Sequence, residues 1–247
     1  MILKDKVMLI TGASRGIGRE TAIEAAKEGA VVLGVATNVQ KLEETKKLVE
    51  EVGGTFYYTA ADVSKYESCQ KCVEELLKHT SGHLDVLVNG AGIFKKAPFL
   101  EMTPQQWKET IETDLDSVFY MTKVCIPYLI ESKGNVVSIS SQDAFYGCKN
   151  YAHYSAAKAG IIGMTRTLCD ELGHTGVRFN CTAPGITDTD LTHDRIVSMR
   201  QMYLDYLSIP YIAEAKDQAA LIVFLASDKA KFITGQCIHA NGGAYKA

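Results

Sequence analysis

Short apolar runs alternate along the chain with segments of helical periodicity. Strand-like runs fall at 7–11, 30–36, 55–60, 84–89, 135–140, 177–183 and 237–240. Helical patterns lie between and after them, at 16–28, 39–52, 64–80, 104–130, 152–172, 190–207 and 216–227. Gly29 and the pair Gly53-Gly54 mark the ends of the first two helices. Thr103-Pro104 reads as an N-cap followed by a first-turn proline, opening one long helix towards Ile130. Strand runs such as Val86-Leu87-Val88 are apolar at successive positions, so both of their faces must be covered. The pattern therefore predicts an α/β chain: a doubly wound, mostly parallel seven-stranded sheet with helices on both faces. No proline- or serine-rich linker and no repeat interrupts it, so residues 1–247 read as a single domain.

Composition narrows the function classes. Hydrophobic residues make up 47% and charged residues 22% of 247 residues, which is ordinary for a folded domain. Against 26 basic residues stand 29 acidic ones, net −3, which argues against a nucleic-acid platform. No apolar run is long enough for a membrane span, and the N-terminus lacks a signal-peptide pattern, so a cytoplasmic protein is expected. The seven cysteines are scattered and odd in number, which reads as free thiols. Cys69, Cys72, His79 and His83 superficially match a zinc site. Their central gap is too short for a finger, and Cys69 and Cys72 share one face of an amphipathic helix, so no metal is expected.

The first strand runs into Gly12-Ala13-Ser14-Arg15-Gly16-Ile17-Gly18 and then directly into a helix. Glycines permit a tight turn and close backbone approach, and the helix N-terminus offers unpaired N–H groups to a pyrophosphate. This position in an α/β chain predicts dinucleotide binding. The second strand ends Gly34-Val35-Ala36-Thr37-Asn38, without the carboxylate that would bind a ribose 2′-hydroxyl. Arg15 supplies a cation nearby, so NADP(H) is expected over NAD(H).

Tyr154 and Lys158 lie four residues apart on one helical face, downstream of a strand that ends at Ser140-Ser141. Together with residues 11–18, Asp62-Val63, Asn89-Gly90-Ala91-Gly92, Pro184-Gly185, Thr189 and the tail Asn241-Gly242-Gly243, this pattern resembles the short-chain dehydrogenase/reductase family over essentially the whole chain. The 3-oxoacyl-carrier-protein reductase-like branch is the nearest in pattern, through residues 224–228 and 233–235.

The resemblance implies a Rossmann fold and interconversion of a ketone and a secondary alcohol by hydride transfer. Tyr154 would be the acid/base, Ser141 would hold the substrate oxygen, and Lys158 would bind the nicotinamide ribose and lower the phenol pKa. The cofactor would be lined by Gly12, Ser14, Arg15, Gly16, Ile17, Gly18, Thr37, Asp62, Val63, Asn89, Gly90, Ala91, Gly92, Tyr154, Lys158, Pro184, Gly185, Ile186 and Thr189. Asp62 would meet the adenine, Asn89 and Gly92 would shape the floor, and Thr189 would hold the carboxamide end. The family is commonly tetrameric, so a homo-oligomer (tetramer or dimer) is expected. Other activities of the same family, on hydroxysteroids, polyols or sugars, remain open, as does a non-catalytic NADP(H)-binding regulator.

Two departures stand out. Asp114 occupies a position where the family usually has an asparagine serving a proton relay, and a carboxylate there predicts a relay with shifted pH dependence. Asn89-Gly90 replaces the common Asn-Asn. An acidic acyl carrier protein would need cations at the site mouth, yet 131–135 and 170–175 are cation-poor. That favours a free carbonyl/alcohol substrate or a coenzyme A thioester, although Lys95, Lys96 and Lys149 leave the carrier open. Phe94, residues 142–151 and a lid at 186–206 are expected to wall the substrate, with Gln142 and Asp143 available to a hydroxylated one.

Overall fold

The computed structural model describes residues 1–246. In chain order it runs β1 (Val7–Thr11), α1 (Gly16–Lys27), β2 (Val31–Ala36), α2 (Val39–Glu51), β3 (Thr55–Ala60), α3 (Tyr66–Leu77) and β4 (Val86–Asn89). There follow α4 (Pro104–Ile111), α5 (Ser117–Ser132), β5 (Asn135–Ile139), α6 (Asp143–Tyr146), α7 (Ala152–Leu172) and β6 (Arg178–Pro184). The chain continues with β7 (Thr187–Asp188), α8 (His193–Tyr206), β8 (Ala213–Glu214), α9 (Ala215–Ala226) and β9 (Cys237–Ala240).

Seven strands form one sheet in the order β3-β2-β1-β4-β5-β6-β9, and every pairing is parallel. All five residues of β1 are buried, and their alternation divides the core. Met8 and Ile10 pack with Ala22, Leu42, Val49 and Ile222 from α1, α2 and α9 on one face. Val7 and Leu9 pack with Val73, Leu76, Met121 and Leu129 from α3 and α5 on the other. The two-sided apolar strands thus become a sheet covered on both faces, as their sequence required. The buried Asp85 joins the entries to β1 and β4, accepting from Val7 N–H at 2.9 Å and from Lys6 Nζ at 3.1 Å.

Strand order reverses beside β1, whose two neighbours are β2 and β4. The loops leaving β1 and β4 therefore diverge and open a crevice at the carboxyl edge, where open α/β sheets bind ligands. Thr11 Oγ1 ties the two loops together by accepting from the N–H groups of Gly90 (3.0 Å) and Ala91 (3.1 Å).

The expected long helix over 104–130 is instead α4 and α5, joined by a wide π turn over Glu112–Asp116. Its start is as expected: Thr103 caps the helix, with Gln106 completing a reciprocal capping box and Pro104 in the first turn. The inserted residue of a π turn re-aims the side chains around it, and here it turns Asp114 inward to full burial. The helix expected from 64 begins at Tyr66, because the Asp62 carboxylate accepts from Ser64 N–H in the preceding turn. The helix expected over 190–207 begins at His193 and departs from helical geometry at Met199. Its base is braced by the parallel pair β7–β8, two residues each and too short for a periodicity signal. Among the described residues no helix is long and apolar enough to cross a membrane.

Candidate active site

Two adjoining cavities of about 360 and 460 Å³ occupy the carboxyl edge and share Ile17, Gly90, Gly92, Ile93, Thr189 and Leu191. The smaller is built by the loop between β1 and α1. Gly12 has φ +72°, and a Cβ there would stand 2.6 Å from the Gly90 carbonyl oxygen, so only glycine fits this approach. Gly16 also takes a positive φ, +53°. Arg15 precedes α1 without capping it by a side chain, so no side chain competes for the first-turn N–H groups of this twelve-residue helix. These are donors an anion can use. The glycine cradle and this uncapped terminus fit a dinucleotide pyrophosphate.

Of the residues expected to hold a cofactor, Gly12, Ser14, Arg15, Gly16, Ile17, Gly18, Thr37, Asp62, Val63, Gly90, Ala91, Gly92 and Thr189 line this smaller cavity. Pro184, Gly185, Ile186, Tyr154 and Lys158 line the larger one. Asn89 lines neither. Its amide is buried and donates to Thr122 Oγ1 and Ser138 Oγ, both at 3.2 Å, so it braces β4 against β5 and α5 beneath the floor. Arg15 stands in a small charge cluster. Asp190 Oδ2 lies 4.0 Å from Arg15 Nη1 and 2.7 Å from Lys41 Nζ. The hydrogen bond from Lys41, with the charges of Lys41 and Arg15, holds the Asp190 carboxyl below its usual range. Neither Lys41 nor Asp190 was legible as a site residue, because the pairing spans 149 positions of sequence.

The larger cavity gathers Ser141, Tyr154, Lys158 and Asp114. Ser141 follows β5, Tyr154 and Lys158 share one face of α7, and Asp114 comes from the π turn. Lys158 is 5% exposed; its Nζ donates to the Ile139 carbonyl at 3.1 Å and lies 3.5 Å from Asp114 Oδ2. The same nitrogen is 5.5 Å from the centroid of the Tyr154 ring. Asp114 Oδ1 accepts from Ile93 N–H at 2.8 Å, while Oδ2 has no hydrogen-bond partner among the described residues. Ser141 Oγ accepts from Asp143 N–H at 3.1 Å. The neighbouring Ser140 hydroxyl donates to the Lys158 carbonyl at 2.8 Å, fastening β5 to α7.

Burial pushes the Asp114 carboxyl up, and the Lys158 charge, the Ile93 N–H and His153 pull against it. The expectation of a lowered Tyr154 phenol is corrected. Burial raises it first, then the negative charges of Asp114 and Asp143, while Ser141 opposes them. Asp114 supplies the negative charge that the usual asparagine would not, and it stands against the same Lys158 ammonium that was expected to favour phenolate.

The outer wall is aromatic. Phe94 stacks on Tyr151 at 4.1 Å and meets Tyr154 edge-on at 4.8 Å. Gln142, Asp143, Tyr146, Cys148, Met202, Tyr203 and Tyr206 also face this cavity. Arg195, from the first turns of α8, reaches in among them without any sequence signal beyond its place in the lid. The residues of the zinc-like spacing are engaged separately. Burial lifts the Cys69 and Cys72 thiols to about 12, His79 stacks on Tyr57, and His83 pairs with Asp85.

Residues 6–199 match the family model for short chain dehydrogenases. The chain is 36% identical to the 3-oxoacyl-(acyl-carrier-protein) reductase FabG of Staphylococcus epidermidis over 98% of its own length and 99% of the relative's. It is 35% identical to the enzyme of that name from Thermotoga maritima, over 98% and 99% of the two chains. A solved short-chain dehydrogenase/reductase of glucose/ribitol dehydrogenase type from Brucella melitensis superposes with a TM-score of 0.93 at 31% identity, covering 100% of this chain and 99% of that one. Fold, crevice and these likenesses together make the chain a member of the short-chain dehydrogenase/reductase family, a FabG-like oxidoreductase acting on CH–OH/C=O groups.

Proposed function

We propose that this protein is an NADP(H)-dependent ketoreductase whose acid/base group is Tyr154, acting on a 3-oxoacyl-type ketone. The observation carrying this reading is the convergence of Ser141, Tyr154 and Lys158 on one cavity that opens into the glycine-loop crevice. The glycine loop and the N-terminus of α1 hold the pyrophosphate, and Arg15 with Lys41 meets a 2′-phosphate. The nicotinamide supplies the hydride.

The chain's residues do the rest. Ser141 Oγ donates to the substrate carbonyl and fixes its oxygen against the phenol. Tyr154 gives its proton to that oxygen in reduction and takes it back in oxidation. Its raised pKa keeps the phenol protonated at neutral pH, the form that reduction needs. Lys158 holds a ribose hydroxyl beside the phenol, with Asp114 fixing its ammonium. The FabG-like relatives support a 3-oxoacyl substrate. The expectation that residues 131–135 and 170–175 border the site mouth is corrected: both segments lead into the starts of β5 and β6 at the amino edge of the sheet, whereas Lys149 lines the larger cavity, so the charge of these segments does not bear on a carrier protein.

The chain works as one domain, in a cytoplasmic setting, as a homo-oligomer. Exposed Trp107 on α4 with Phe119 and Ile130 on α5 support self-association. The test is NADPH oxidation with a ketone panel by the wild type and Tyr154→Phe. Turnover that falls at least 10³-fold in the variant, with NADPH binding retained, is the expected result. NADPH binding with no turnover of any ketone by the wild type would instead make the protein a nucleotide-binding regulator.

A further inference from the structure

The larger cavity holds the Arg195 guanidinium, which has no carboxylate partner among the described residues. Arg195 Cζ stands 5.6 Å from the Phe94 ring, 5.5 Å from Tyr151 and 5.8 Å from Tyr203, a cage of three aromatic faces. The nitrogens of this head group reach the Cys148 sulfur, at 3.8 and 3.9 Å, and the phenols of Tyr151 and Tyr203 stand beside them. Among the described residues no carboxylate oxygen lies within 4 Å of it, whereas Arg15 and Arg19 each have such a partner. A guanidinium carries five donors in a planar fork, and a weak sulfur acceptor leaves that capacity unused.

The position makes this consequential. Phe94 touches Arg195 on one side and the Tyr154 ring on the other, so one aromatic ring separates the cation from the phenol. The charge therefore lies inside the substrate compartment, within a molecule's length of the oxygen that Tyr154 serves. The surrounding wall is mainly apolar, and a charge-assisted pair gains strength where water is scarce. Asp143 is the opposing group on the same wall. Its carboxyl is pushed up by burial, which weakens it as a competitor for Arg195.

We propose that Arg195 is a specificity residue that binds the carboxylate of an oxo-acid substrate, so that this enzyme prefers anionic ketones to their neutral esters. The proposal rests on the ketoreductase reading and narrows it to a substrate class. The aromatic cage holds the fork flat and limits its rotamers, which pre-organises it for bidentate contact. Because Arg195 rides on the lid, the same contact draws α8 over the substrate.

The test measures kcat/KM for acetoacetate, levulinate and 5-oxohexanoate against their methyl esters, with saturating NADPH, for the wild type and Arg195→Gln. For at least one acid the wild type is expected to exceed the matching ester tenfold or more. Arg195→Gln should lower that acid's value by on the order of 30-fold and the ester's by less than threefold. The ester also reports that the variant is folded and catalytic. Esters reduced as well as every acid, or acid and ester falling alike in the variant, would overturn the proposal and leave Arg195 a structural clamp on the lid. If neither acids nor esters turn over, the ketoreductase reading fails, and calorimetric binding of levulinate decides the charge assignment alone. Binding that Arg195→Gln and methyl levulinate both lack supports it; equal or absent binding refutes it.

Discussion

Asp114 Oδ2 lies 3.5 Å from Lys158 Nζ, and both side chains are buried, at 0% and 6% exposure. Burial does most to raise the Tyr154 phenol, and the Asp114 carboxylate facing the Lys158 ammonium adds to that rise, so its loss relieves that part. Oxidation of an alcohol requires phenolate, so its rate rises with pH through the phenol's titration. Asp114→Asn should therefore move that limb to lower pH while leaving reduction near neutral pH within about threefold. The amide can still accept from Ile93 N–H, which keeps the local fold. A pH–rate profile for alcohol oxidation that does not move would dissociate Asp114 from the phenol. Asp114→Ala, which strands the buried Lys158 without its counter-charge, should in contrast lose roughly 3–5 kcal/mol of stability in urea unfolding.

The cations at the ribose end are expected to set cofactor choice. Arg15 and Lys41 both face Asp190, and no carboxylate closes β2 to claim a 2′-hydroxyl. Arg15→Ala and Lys41→Ala should each raise KM for NADPH by about tenfold and leave KM for NADH nearly unchanged, a loss of roughly 1.4 kcal/mol of charge-assisted pairing per site. The wild-type NADPH dependence should weaken with salt, because these side chains are partly exposed. Asp190→Asn removes the internal competitor for both cations and should lower KM for NADPH. Initial-rate kinetics with each cofactor, at two ionic strengths, check all three variants.

The architecture was legible because the central strands β1, β4 and β5 are buried on both faces and leave largely apolar runs, of which Val7–Thr11 is the clearest. The glycine loop and the Tyr154/Lys158 pair were legible because each is local in sequence: one turn, and one helical face. The π turn at Asp114 was not, since one inserted residue hardly alters a helical periodicity, and 104–130 reads as continuous helix. The sign of the phenol shift was misread for a related reason. The four-residue spacing displays Lys158 beside Tyr154, but not the burial that does most to raise the phenol, nor Asp114, which arrives from forty positions away and adds to that rise. Lys41, Asp190 and Arg195 likewise gain meaning only once α2 and the base of α8 are folded against the sheet edge.

Gly12 offers a steric test of the crevice. Its φ of +72° already disfavours any other residue, and a Cβ would press on the Gly90 carbonyl at 2.6 Å and on Ala91 N at 2.9 Å. Those atoms belong to the loop that Thr11 holds in place, so neither loop can withdraw without breaking the tie between β1 and β4. Gly12→Ala should therefore cost roughly 1–3 kcal/mol and displace the N-terminus of α1. Thermal unfolding should show a lower Tm, and the Tm increase produced by added NADPH should shrink or vanish. Gly53→Ala serves as the control. It shares a positive φ of +78° but has open space around its Cβ, so it should lower Tm while keeping the full NADPH-induced increase.

The thiols divide by burial, and their reactivity should follow. Cys69 and Cys72 are held at about 12, and Cys125 is pushed up as well, in each case chiefly by burial under α3 and α5. At pH 8 these three carry almost no thiolate, the form that alkylates and binds metal. Cys181 is likewise buried and raised, with Cys237 opposite it on the neighbouring strand. Cys237, by contrast, is lowered, first by its hydrogen-bonding relation to Cys181 and then by the charge of Arg166 against the opposing effect of burial. Iodoacetamide treatment of the native protein at pH 8, followed by peptide mass spectrometry, should label the half-buried Cys148, Cys169 and Cys237 and leave Cys69, Cys72 and Cys125 unmodified. Added Zn²⁺ should neither protect Cys69 and Cys72 nor raise Tm, since both sulfurs are engaged with backbone carbonyls, Cys69 with Val63 at 3.3 Å and Cys72 with Cys69 at 3.2 Å. Labelling of Cys69 or Cys72 in the folded protein at a rate near that of Cys237 would mean that α3 opens locally far more often than its packing against the sheet allows.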